Sequence, residues 1–215
     1  MPLKVFDSTD GVGGPHYLHV RPGTNEVWLT NRSATTSGYL LRFDGASRTV
    51  ITTPTAKLET TGTAGDEPTE FAFSSDGLLA YIGHHGLEQV DVAIVDAPSF
   101  RVEKLIRLIP TAKMPAFVDI DPDRGRVYFM ARRGPSLAVL DIKTERVLRY
   151  IEFGGSGVGY GVATTPDKKY LYISLGVPEQ SAIAVVDAKT LTIIANILDP
   201  ALHGPRHVRF TSYGR

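Results

Sequence analysis

Four copies of one short motif, recurring at a nearly constant interval, constrain this chain more than any other feature of its sequence. In each copy an apolar segment ends in Asp, and Ser or Thr follows three residues later. The anchoring residues are Asp44, Asp96, Asp141 and Asp187, which lie 52, 45 and 46 residues apart. Internal periods of roughly 20 to 50 residues are typical of repeat architectures. The chain is therefore predicted to consist of four similar units.

A second series of turns keeps the same interval: Pro22-Gly23, Asp76-Gly77, Pro122-Asp123 and Pro166-Asp167. Each turn lies between two short segments rich in β-branched and aromatic residues, a pattern that predicts a hairpin of two strands, a and b. The segment that ends in Asp is strand c, because an Asp side chain can accept backbone hydrogen bonds and fix a tight turn. Strand d follows that turn.

Four strands in about 45 residues is the size of one blade of a β-propeller. Strand c is apolar on both faces, as in residues 137–140, and blades packed face to face would bury both. A β-sandwich has a similar strand count but gives no reason for the Asp motif to recur. The sequence thus predicts an all-β propeller domain over 1–215, with blades at about 16–65, 66–113, 114–158 and 159–204, and strand fragments at 3–7 and 206–211.

The two strand fragments do not supply the four strands of another blade. We therefore expect an excerpt of a longer ring of about seven blades, or copies that associate through open sheet edges and apolar blade faces. An excerpt of a longer ring is favoured over association of copies.

Composition excludes several classes of function. Lys plus Arg and Asp plus Glu balance at 23 each, so no nucleic-acid partner is expected. The absence of cysteine removes disulfides and thiolate sites. No apolar segment approaches the roughly 20 residues of a membrane span, and the N-terminus lacks the pattern of a signal peptide.

The predicted loops from d to a and from b to c emerge on one rim, where polar loop residues are usual carriers of binding. The candidate binding residues on this rim are His16, Arg32, Glu67, His84, His85, Arg132, Arg133, Glu179, Arg206 and His207. They indicate a pocket for an anion, a divalent cation or a planar cofactor, or simply a solvated surface.

Metal binding at the rim has two candidate sources. Adjacent residues on a strand point to opposite faces, so His84 and His85 could share one metal only if the loop turns between them. Asp66 and Glu67 offer hard oxygen ligands for Ca²⁺, but acids before a proline are also ordinary turn residues.

Catalytic residues are not predicted. The chain has no Gly-x-Ser-x-Gly elbow, no phosphate-binding loop and no His-Glu-x-x-His helix. The glycines of 154–159 precede a strand and are predicted to form a d-to-a loop, which is not a dinucleotide site.

The segment 14–31, ending in Trp28-Leu29-Thr30-Asn31, resembles the repeat of the YVTN family of β-propellers. The resemblance implies a binding or scaffold module that presents a ligand- or partner-binding rim, without demonstrable catalysis. Proteins of this kind are commonly periplasmic or extracellular.

Two alternatives follow from relatives of that family, a lactonase-like hydrolase and a haem d1-type cofactor-binding propeller. For haem d1 the resemblance implies His16, His84, His85 and His207 as ligands, with Arg132, Arg133 and Arg206 paired to carboxylates of the cofactor. The partner of the module is an unidentified small molecule or protein.

Overall fold

A computed structural model describes residues 14–31, 38–51, 67–85, 91–108, 113–134, 136–154, 157–176, 181–198, 202, 205 and 207–210. In these residues all regular secondary structure is β-strand. The part of the chain that the structure describes therefore holds no helix long and apolar enough to cross a bilayer. The chain divides into two compact units, 1–107 and 108–215.

The first unit contains two antiparallel sheets of four strands, each paired in chain order. The first sheet comprises β1 (Pro15–Val20), β2 (Glu26–Asn31), β3 (Tyr39–Asp44) and β4 (Thr49–Val50). The second comprises β5 (Glu67–Phe73), β6 (Leu79–His85), β7 (Asp91–Asp96) and β8 (Arg101–Arg107).

The second unit repeats this arrangement. The third sheet comprises β9 (Lys113–Asp121), β10 (Arg126–Arg133), β11 (Ser136–Asp141) and β12 (Arg146–Glu152). The fourth comprises β13 (Val158–Thr164), β14 (Tyr170–Gly176), β15 (Ala182–Asp187) and β16 (Thr192–Leu198). One pairing, Arg133 with Val158, joins β10 to β13.

The predicted order of strands a, b, c and d is confirmed in all four sheets, and the all-β fold class with it. The predicted strand fragment 3–7 lies outside the described residues. Residues 207–210 are described and form no strand. The blade limits stay predictions.

The Asp motif forms the turn between strands c and d. Asp141 Oδ1 accepts hydrogen bonds from the amide of Thr144 at 2.7 Å and from its hydroxyl at 2.8 Å. The corresponding Asp side chains of the other sheets accept the equivalent amide hydrogen bond. Each turn then ends in a non-glycine residue with positive φ: Arg48, Phe100, Glu145 and Leu191.

The largest buried cluster of each unit lies between its two sheets. In the first unit Trp28 packs edge-to-face on Phe73 and Phe100, with ring centroids 5.0 and 4.9 Å apart. In the second unit Leu137 and Ile151 of the third sheet share a cluster with residues of the fourth sheet. Face-to-face packing of consecutive sheets explains why strand c is apolar on both faces.

Hydrogen bonds from one sheet to the next also hold each pair together. The Arg21 Nε donates to the carbonyl of Gly77 at 2.8 Å. The Arg126 guanidinium donates to the carbonyl of Ala188. Both bonds lie near the a-to-b turns.

Candidate ligand-binding rim

Each sheet has one end at which strand a begins and strand b ends; we call it the loop end, because the d-to-a and b-to-c connections leave there. At the loop end strand a of all four sheets carries a bulge. A bulge places two residues against one and redirects a side chain, and bulges are common beside functional sites. The extra residues are His16, Thr69 with Glu70, Ala116 and Tyr160.

The repeat gives a common position beside each bulge, namely the residue of strand b that faces a Pro or Gly of strand a. In the first sheet it is Asn31, whose Oδ1 accepts a hydrogen bond from the amide of Gly14 at 2.8 Å. In the second sheet it is His84, opposite Pro68 and only 1% exposed. The third and fourth sheets have Ala131 and Leu175.

Glu70 occupies a second position at which the second sheet departs from the repeat. Its side chain is 2% exposed, whereas the equivalent residues of the third and fourth sheets are Phe117 and Gly161. Burying a carboxylate is costly unless polar groups compensate for the lost water. Glu70 and His84 thus place two ionisable side chains at the loop end of one sheet, where the second unit has apolar residues.

A network of hydroxyl groups supports this end of the second sheet. Thr69 Oγ1 donates to the carbonyl of Gly83 at 2.9 Å, which ties the bulge to strand b. Thr30 Oγ1 donates to the carbonyl of Thr69 at 2.7 Å, from the first sheet to the second. Thr30 also accepts from the amide of Tyr17 at 3.1 Å. Thr30 and Asn31, the last two residues of the segment 14–31, therefore have a structural role.

Among the residues predicted from sequence, His84 is brought into this buried position and His16 is exposed at the bulge of the first sheet. The Cα atoms of Glu67 and His85 pair across β5 and β6. The side chains of Glu67, His85 and Arg133 lie outside the description. So do the predicted residues Arg32, Glu179 and Arg206, and Asp66.

The loop end of the second unit presents a different surface. The ring of His207, which is exposed, contacts Phe117 edge-to-face at 5.7 Å between centroids. Phe117 is also 6.5 Å from Tyr160, the bulge residue of β13. The Arg132 side chain is exposed at the end of β10. The described side chains at this end therefore include aromatic edges, the imidazole of His207 and the guanidinium of Arg132.

Glu70 was not predicted from the sequence. The signal that could have found it is the repeat itself, since aligning the four a strands places an acid among Tyr, Phe and Gly. The opposite end of the sheets carries structural pairs instead: buried Asp121 accepts from the Arg124 guanidinium at 2.8 Å. Within the described residues, no three His, Asp or Glu side chains are grouped closely enough to hold a metal ion.

Several solved structures are similar to this chain, and they decide the fold. The hydrazine synthase of Kuenenia stuttgartiensis aligns over 87% of this chain with a TM-score of 0.72 and 18% identity. The fold is that of a β-propeller. No family model matches the chain, and no curated protein matches it.

Two further structures share this fold. A dihydro-heme d1 dehydrogenase, NirN, solved in complex with DHE, covers 84% of the chain with a TM-score of 0.62 and 14% identity. An auxiliary nutrient binding protein from Bacteroides thetaiotaomicron covers 87% with a TM-score of 0.61 and 15% identity. The chain spans 50%, 37% and 42% of the three proteins in turn.

Proposed function

We propose that this propeller chain is a ligand-binding module whose site lies at the loop end of the second sheet. The observation that carries the proposal is the burial of Glu70 and His84 at positions where the second unit has apolar residues. A repeat that needed only packing would keep apolar side chains there, because buried ionisable groups cost free energy.

The chemistry of the two side chains defines the ligand class. A carboxylate accepts hydrogen bonds, and an imidazole can both donate and accept one. Each of them suits a small polar molecule that carries hydroxyl or amine donors, such as a sugar or an amino acid. The Thr30 and Thr69 hydroxyl bonds hold the bulge that carries Glu70 in place.

The test is a thermal-shift screen of the chain against monosaccharides, amino acids and small organic acids, followed by calorimetric titration of each hit. A ligand present at about 100 times its Kd stabilises the native state by about 2.7 kcal/mol. For a protein of this size that free energy raises Tm by about 5–11 °C. We expect Glu70→Gln and His84→Asn to abolish the shift.

Asp76→Asn, at the opposite end of the same sheet, is the matched control and should keep the full shift. Both rim variants also alter buried groups, so their unliganded melting temperatures are measured separately from the ligand-induced shift. A screen without a hit, or rim variants that bind with the affinity of the original chain, would contradict the proposal.

A second candidate function is the binding of a haem-type cofactor. It is favoured by the exposed imidazole of His207 beside Phe117, and by the similarity to a dihydro-heme d1 dehydrogenase. Titration with haemin, followed by its visible absorption, should show a saturable spectral change that His207→Ala removes. An unchanged spectrum would reject this candidate. The YVTN and lactonase-like assignments stay predictions.

A further inference from the structure

Three side chains of the first sheet converge on one carboxylate at the end opposite the loop end, where the tight turns lie; we call it the turn end. Trp28 Nε1 donates to Glu26 Oε2 at 3.1 Å, and Arg21 Nη1 donates to the same oxygen at 3.3 Å. The Arg42 guanidinium forms a looser ion pair with this oxygen, at 3.8 Å. We call Arg21, Glu26, Trp28 and Arg42 the Glu26 cluster.

Glu26 satisfies these donors incompletely. In the described part of the chain it is the only carboxylate that pairs with Arg21 or Arg42, so two largely buried guanidiniums share one negative charge. The shortest hydrogen bond of Arg42 goes to the carbonyl of Ala97 at 3.5 Å, and its buried Nε has no partner among the described residues. A guanidinium carries five N–H donors, and leaving them buried without acceptors costs free energy. The cluster therefore has more donors than its one carboxylate satisfies.

Packing between the sheets does not require the Arg42 guanidinium. Arg42 pairs with Trp28 across β2 and β3, and the equivalent residue of the third sheet is Val139, opposite Tyr128. Val139 is buried in the cluster between the third and fourth sheets. The Arg42 guanidinium instead lies over the ring of Phe100, 4.4 Å from its centroid, and this cation–π contact helps to fix its orientation. The first sheet thus has an additional guanidinium where an apolar residue suffices in the third.

An oxyanion matches the chemistry of the Glu26 cluster. Guanidinium groups bind carboxylate and phosphate through two parallel hydrogen bonds, which are strong because both partners are charged. A group with several oxygens could accept from Arg21, Arg42 and Trp28 separately, whereas all three now converge on a single oxygen of Glu26. The Glu26 side chain is 23% exposed, so the cluster borders on water at its carboxylate.

We propose that the Glu26 cluster binds the carboxylate or phosphate group of a small molecule, and that Glu26 fills this site when no such molecule is bound. The incoming oxyanion displaces the Glu26 carboxylate into water and accepts hydrogen bonds from Arg21, Arg42 and Trp28. The exchange keeps a negative charge beside the two guanidiniums and gives them further acceptors. The site lies at the opposite end of the sheets from the proposed rim site and is independent of it.

Trp28 provides a direct readout, because it is the only tryptophan of the chain, is fully buried and donates to Glu26. The intact chain is titrated separately with inorganic phosphate and with succinate, at constant ionic strength because salt screens charge attraction. A saturable change in Trp28 emission, with the same Kd by calorimetry, is expected for at least one of the two anions. The anion that binds then identifies whether the site accepts phosphate, carboxylate or both.

Two variants should change the affinity in opposite directions. Glu26→Gln removes the charge that competes with the ligand and should tighten binding by at least about tenfold. Arg42→Gln removes the additional guanidinium and should weaken binding by at least about tenfold. Arg124→Gln is the matched control, because the Arg124 guanidinium already bonds to Asp121 at 2.8 Å in the second unit. This control should bind both anions like the original chain.

Circular dichroism checks that each variant is folded. If Arg42→Gln does not fold, Glu26→Gln alone decides, since a gain in affinity cannot arise from loss of structure. Trp28 emission that neither anion changes in the original chain overturns the proposal. So does a Glu26→Gln chain that binds no more tightly than the original. Equal loss of binding in Arg124→Gln and Arg42→Gln also overturns it, because that result indicates non-specific attraction between charges.

Discussion

Two turns with nearly the same hydrogen bonds but different residues give the sharpest test of backbone strain. In the second sheet the amide of Gly77 donates to the carbonyl of Ser74 at 2.9 Å. In the fourth sheet the amide of Lys168 donates to the carbonyl of Thr165 at 2.8 Å. The Ser and Thr hydroxyls donate to the following Asp at 2.6 and 2.7 Å. The central φ is +69° at Gly77 and +60° at Lys168.

Replacing Lys168 by Gly should stabilise the protein. The left-handed conformation costs a residue with a Cβ roughly 1–2 kcal/mol. The greater conformational freedom of Gly also favours the unfolded chain, which offsets about 0.4–1 kcal/mol of that gain. The expected net increase in the free energy of unfolding is about 0.5–1 kcal/mol, which corresponds to a rise in Tm of about 1–4 °C.

The reverse change at the equivalent position should be more harmful. A Cβ added at Gly77 would lie 2.8 Å from the carbonyl oxygen of Pro22, a backbone atom that has little room to move. Gly77→Ala therefore adds steric overlap, at about 1–3 kcal/mol, to the conformational strain. We expect a total loss of about 2–4 kcal/mol.

Urea unfolding at constant temperature, with melting as a second measurement, gives both changes in free energy. Lys168→Ala is the matched control, because it removes the ammonium and most of the side chain but keeps the Cβ. It should leave stability close to its original value. If Lys168→Gly is neutral or destabilising, or if Lys168→Ala stabilises as much as Gly does, strain at this turn is not the cause.

Two further predictions concern the bonds that build the repeat. Thr30→Val keeps the shape of the side chain but leaves the buried Thr69 carbonyl without the 2.7 Å bond from Thr30, and should cost about 1–3 kcal/mol in urea unfolding; an unchanged midpoint would contradict that role. Hydrogen bonds from the Thr144 amide and then its hydroxyl hold the pKa of Asp141 below its ordinary value of 3.8. The stability this provides is complete above that ordinary pKa and is lost as pH falls through the lower, folded value. Asp141→Asn should therefore flatten the decline in Tm below about pH 4, and equal acid profiles for both chains would show that this carboxylate is not involved.

The sequence alone was sufficient for the architecture, because the signals that encode it are local. Asp141 and Thr144 are three residues apart, so the turn they form can be predicted without knowledge of the rest of the chain. Alternating β-branched and aromatic residues on both sides of Asp76-Gly77 predict a hairpin for the same reason. Repetition of these signals predicted four strands in each of the four repeats.

Local patterns failed where the conformation opposes residue preference. Glu145 and Lys168 adopt positive φ although Gly and Asn are the usual residues there. The hydrogen bonds of the turn hold the backbone at positive φ, and the identity of the side chain gives no sign of that conformation. The bulges in strand a were missed because an extra residue is visible only against the partner strand.

The candidate site depended on tertiary structure for a different reason. His84 was predicted as a loop residue on a polar rim, but the structure buries it at the end of a strand. Glu70 looked like one more charged residue in the sequence, whereas its side chain is 2% exposed in the structure. Exposure likewise separates Leu18 from Val162, although both are apolar residues of strand a. Sequence determined the repeat through contacts between near neighbours, whereas burial is set by residues far apart in the chain and was decided only when the sheets packed.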